Sequence, residues 1–98
     1  MKILDIAMNL NRIGNWAADS YEQKRKRIKL FLGQTSDYIN SLTTEISSGS
    51  FQKTLTAFLS IYKQLEKEGI NGPKDPIAWA EKMMTWGNIL THRANLLK

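Results

Sequence analysis

Apolar residues recur at intervals of three, four and seven along most of the chain, the period of helices that bury one face. The longest stripe predicts a helix from Tyr21 to Ile46. It aligns Tyr21, Ile28, Phe31, Leu32, Thr35, Tyr38, Ile39, Leu42 and Ile46. At 1.5 Å per residue this helix would be roughly 40 Å long. Upstream, Ile3, Ile6, Leu10, Ile13 and Ala17 form a second seam and predict a helix from about Lys2 to about Ala18. Gly14 costs that helix about 1 kcal/mol relative to alanine, so a kink or an end is expected near Gly14-Asn15. Asp19-Ser20 followed by Glu22-Gln23 offers two overlapping capping boxes, which place a turn between the two helices.

Gly33 is the weak point of the long helix. The apolar stripe crosses it in register, which favours one continuous helix, bent at most there. Ser47-Ser48-Gly49 should stop this helix, with Gly49 as the left-handed cap and Ser50 as the next N-cap. A third helix is expected from about Phe51 to about Glu68, its apolar face made of Phe51, Leu55, Phe58, Leu59, Tyr62 and Leu65. Gly69 should end it, with Ile70 making the hydrophobic contact that accompanies such a cap. Asn71-Gly72-Pro73-Lys74 is turn chemistry, and Asp75-Pro76 combines an N-cap acid with a first-turn proline.

The last helix runs from about Pro76 to about Leu97. Ala80, Gly87 and Ala94 recur every seven residues, as do Met83, Leu90 and Leu97 beside them. Small residues in a seam allow a neighbouring helix to approach closely. Trp79 and Trp86 form a third seven-spaced pair, flanked by Met84 and Ile89. A helix apolar over more than half its circumference is either central or touches more than one neighbour. With no strand signal or internal repeat, the expected fold is all-α. It is an antiparallel helical bundle of three long helices plus an N-terminal helix, forming a single domain over residues 1–98.

Composition adds exclusions. The 42% hydrophobic and 23% charged content is that of a folded globule. The absence of cysteine removes disulfides, thiolate chemistry and the usual structural zinc sites. No signal peptide and no membrane-spanning run is read, so a soluble, cytoplasmic protein is expected. The net charge of +5 is local. Lys24, Arg25, Lys26, Arg27 and Lys29 lie within six positions with no acid among them, and the other basic residues are balanced by the acids.

The residues that could carry chemistry are few. His92 is the sole histidine and falls on the polar stripe with Glu81, Thr85 and Asn88, the place of a solvated side chain. No Glu-x-x-His pair, phosphate loop, nucleophile elbow or metalloprotease motif occurs. No enzymatic activity, metal or cofactor is therefore expected. The basic residues wrap most of a helix and form a collar, a candidate site for an anion or a partner. Like charges at this density, near a helix N-terminus, oppose the helix dipole and favour a binding role over stability. Trp79, Trp86, Met83 and Ile89 are candidate interface anchors, since tryptophan is enriched in interface hot spots.

The expected function is that of a small non-catalytic interaction module. Its partner would be another protein or a second copy, giving a homodimer. The alternative is a nucleic-acid-binding accessory protein using Lys24 to Lys29. A third reading is similarity to bacteriocin-immunity proteins, a class also built as basic helical bundles of about this size; that resemblance is one of size and class.

Overall fold

A computed structural model describes residues 2–42 and 50–96, with side chains over 3–41 and 52–95. Ile46, the Ser47-Ser48-Gly49 stop, Leu97 and the side chains of Leu42, Ser50 and Phe51 lie outside the described residues. The described chain is all-helical: α1 spans Lys2–Leu42, α2 Ser50–Asn71 and α3 Pro76–Leu96. Within α1 the backbone leaves the helical region only at Ser20, where φ is −164° and ψ is 97°, so α1 is two helical arms joined at the turn expected between Asp19 and Ser20.

That one residue reverses the chain. A straight helix of 41 residues would be about 60 Å long, and the longest dimension of the molecule is 39 Å. The Ser20 hydroxyl accepts the Gln23 N–H at 3.4 Å, the N-cap contact that the sequence offers. The arms before and after Ser20 then meet side by side. Asn9 Nδ2 donates to Gln34 Oε1 at 3.0 Å and to Thr35 Oγ1 at 3.3 Å. Thr35 Oγ1 in turn donates to the Phe31 carbonyl at 2.7 Å, so this fully buried polar pair is satisfied. The Trp16 and Phe31 rings meet edge to face at 4.9 Å.

Helices α1 and α3 pack, and glycines set their spacing. A Cβ on Gly14 would lie 3.0 Å from the Ala80 carbonyl oxygen and 2.4 Å from Met84 Cγ. A Cβ on Gly87 would lie 2.9 Å from the Asn11 side chain. Gly14 thus admits α3 and does not kink α1, whose dihedrals stay helical there. The small-residue seam is buried, at Ala80, Gly87 and Ala94.

Helix α2 continues past its expected end at Gly69. The left-handed residue is Gly72, with φ 97°. Gly69 is buried inside the helix because Trp79 lies on it: a Cβ there would be 2.5 Å from Trp79 Cζ2 and 2.7 Å from Leu32 Cδ1. Its carbonyl accepts the buried Tyr21 hydroxyl. Ile70 is 42% exposed, and so does not provide the capping contact. Asp75 caps α3 as expected, its carboxylate accepting the Ala78 N–H at 3.1 Å. Gly33 neither breaks nor bends the dihedral pattern of α1.

A candidate partner-binding surface

The collar sits on the first turns of the arm that follows Ser20. Tyr21 anchors the base of this arm. Its hydroxyl bonds the Gly69 carbonyl, and its ring meets Trp79 edge to face at 6.3 Å. Burial raises the Tyr21 pKa, with Arg25 nearby opposing and Glu22 reinforcing the shift. The five basic residues are thereby held at a fixed place, and they differ in what they touch.

Lys24 pairs with Asp19 across the turn. Hydrogen bonding and attraction from Lys24 hold the Asp19 carboxyl below its usual range. Arg27 lies over the Trp16 ring, 5.2 Å from its centroid, a cation–π contact that fixes the guanidinium and covers that ring face. Arg25 is half-buried, and its Nε has no hydrogen-bond partner. Lys26 and Lys29 are exposed. Among the described residues, the one ion pair in the collar is Lys24 with Asp19.

The aromatic candidates fall elsewhere. Trp79 is 2% exposed and its indole N–H donates to the Leu65 carbonyl at 3.0 Å. Met83 is fully buried. Both belong to the core, because α3 contacts α1 and α2 at once and its wide apolar face is covered from two sides. As anchors for a partner they are corrected to packing residues. Trp86 is half-buried against Phe58, with ring centroids 5.6 Å apart, and Ile89 is half-buried.

His92 is exposed with Glu81, Thr85 and Asn88, on the polar stripe where the sequence puts it. Among the described residues no group of three His, Asp or Glu could hold a metal. A groove of about 670 Å³ runs between α1 and α2, lined in part by Ser36, Ile39, Leu59, Tyr62 and Glu66. Several of its polar groups are already bonded: Ser36 donates to the Glu66 carboxylate, and Tyr62 donates to the Leu32 carbonyl at 2.9 Å. Burial pushes the Tyr62 pKa well up; the Ser36 hydrogen bond lowers it and Glu66 raises it further. The groove thus holds a buried phenol beside a carboxylate bonded to the Ser36 hydroxyl.

Two features of the surface were missed in reading the linear sequence. Asp19 and Trp16 reach the collar only because the chain folds back at Ser20. Leu30 is 69% exposed beside Lys26 and Arg27; its absence from the apolar stripe is the one signal that could have found it. Among the described residues no helix is long and apolar enough to cross a membrane. Compared with known family models, curated proteins and solved structures, the chain has no match.

Proposed function

We propose that this chain is a non-catalytic interaction module, a cytoplasmic single-domain antiparallel bundle in which the arm before Ser20 serves as a fourth helix. It docks another protein through the basic collar. The observation that carries this reading is the fixed, exposed presentation of Lys26 and Lys29 beside the ordered Arg27–Trp16 contact, on an arm pinned by Tyr21. Self-association through α3 loses support, since Trp79 and Met83 are internal. A second copy at the collar would oppose like charges.

The nucleic-acid alternative rests on the same cations and is the weaker one. One face of the Trp16 ring is occupied by Arg27 and the ring also meets Phe31 edge to face, which leaves less of it for base stacking. Among the described residues, the enzyme reading has only the groove with its bonded Ser36–Glu66 pair to rest on.

The test compares wild type with a variant in which all five collar residues are replaced by glutamine. Each is immobilised and exposed to extract of its native host. A protein retained by the wild type and lost by the variant, with both folded by circular dichroism, is expected. Identical retention by the two would refute docking at the collar. Sedimentation at tens of micromolar should give a monomer.

A further inference from the structure

Three choices on two consecutive turns of α1 lack any internal reason. Leu30, at 69% exposure, is the most exposed large apolar side chain among the described residues. Gly33 is helical and exposed, and a Cβ there would meet nothing within 4 Å. A glycine in a helix interior costs about 1 kcal/mol relative to alanine, and the close packing that explains Gly14 and Gly69 is missing here. Lys26 and Lys29 are exposed like charges one turn apart, which repel. Lys26, Leu30 and Gly33 occupy positions i, i+4 and i+7, one outward stripe of the helix. Met8, Ile61, Ile70 and Ile77 are also exposed, by 40–52%; on this stripe of α1 the exposure coincides with an unpacked helical glycine and clustered cations, and such coinciding local conflicts mark a functional surface.

Resting on the reading of the collar as a docking site, we infer that its partner is an acidic amphipathic helix of another protein that crosses α1 at Gly33. Its apolar face seats on Leu30 and its carboxylates meet Lys26, Arg27 and Lys29. A bare glycine lets a second helix come close, and a projecting leucine beside it offers the apolar anchor of helix-to-helix recognition. Charge complementarity supplies the sign of the partner. A polyphosphate would use the cations and leave Leu30 and Gly33 without purpose. An anionic bilayer would meet a single leucine on this stripe, and the exposed carboxylate of Asp37, one turn beyond Gly33, confines the carboxylates of the partner helix to the Lys26 side of the crossing.

The probes are an 18-residue helical peptide of Glu, Leu and Ala with leucines at helical spacing, a 20-base-pair DNA duplex, and vesicles of phosphatidylserine with phosphatidylcholine. Binding is followed by anisotropy and by amide chemical shifts. The peptide should bind and shift the amides of residues 26–37. Leu30→Ser should weaken it about fivefold or more, the loss expected for an anchor residue. Gly33→Gln should weaken it as strongly while leaving the melting temperature equal or higher, a split that a merely structural glycine would not give. If the duplex or the vesicles bind as tightly as the peptide and Leu30→Ser is harmless, the acidic-helix partner is overturned and the collar reading stands. If no probe binds, or none responds to neutralising the collar, both are overturned.

Discussion

Glycine to alanine at positions 69 and 33 makes a matched pair, because both residues are helical and only their surroundings differ. On propensity alone each change should stabilise by about 1 kcal/mol. At Gly33 nothing opposes the new methyl group, so a gain of about 0.5–1 kcal/mol is expected. At Gly69 the methyl would press on Trp79 and Leu32 at 2.5 and 2.7 Å. The ring cannot swing aside cheaply, since its N–H is bonded to the Leu65 carbonyl and its other neighbour is Tyr21. Overpacking costs about 1–3 kcal/mol, and freeing the indole N–H from its acceptor adds about 1–3 kcal/mol. Against a propensity gain of about 1 kcal/mol, the net loss is about 1–5 kcal/mol. At about 4–8 °C per kcal/mol for a domain of this size, Gly69→Ala should melt at least about 4 °C lower, and Gly33→Ala a few degrees higher. Thermal and urea unfolding followed by circular dichroism measure both. A Gly69→Ala protein as stable as the wild type would refute the placement of Trp79, and with it the junction that holds Tyr21 and the collar.

Buried Tyr62 and Tyr21 have raised pKa values. A group protonated in the fold and ionised in the unfolded chain stabilises fully below the unfolded pKa, near 10, and that contribution is lost as pH climbs through the folded value. Stability should therefore fall above pH 10, by up to about 1.4 kcal/mol per pH unit for each such tyrosine, and urea midpoints for Tyr62→Phe should fall less steeply there. Replacing Lys26 and Lys29 together by glutamine removes the 26–29 and 25–29 repulsions, each about 0.2–0.5 kcal/mol; the melting temperature should hold or rise slightly, and a drop of several degrees would show the charges to be structural. Ser20→Ala deletes the cap at the reversal and should cost about 1 kcal/mol by urea titration.

The fold class and most of the core were legible because periodicity reports burial directly. Tyr21, Ile28, Leu32, Thr35 and Ile39 lie on one stripe and all are buried. What could not be read depends on what lies opposite. Gly14, Gly33 and Gly69 look alike to helix propensity, yet one faces Ala80 and Met84, one faces solvent and one lies under Trp79. Trp79 and Trp86 are seven apart on one face, and differ because Trp79 sits between Tyr21 and Leu65 while Trp86 packs on Phe58 nearer the surface. The charge of the collar was plain from the sequence. Its ordering by Asp19 and Trp16 was not, since both come from before the turn.

The distribution of apolar surface decides where a partner can sit. Helix α3 is apolar over more than half its circumference, which in isolation suggests a face held for another molecule. Two neighbours within the chain cover it, and the glycines at 14 and 69 exist to let them approach. The unexplained features lie on the outward stripe of α1. A domain of this kind is stable by about 5–15 kcal/mol, so an unneeded glycine and a repelling pair of lysines, about 1–1.5 kcal/mol together, are a visible fraction of that margin. Glycine costs stability equally at 33 and at 69, but only at 69 does internal packing account for it. The residue at 33 is therefore accounted for by a contact outside the chain, or by none.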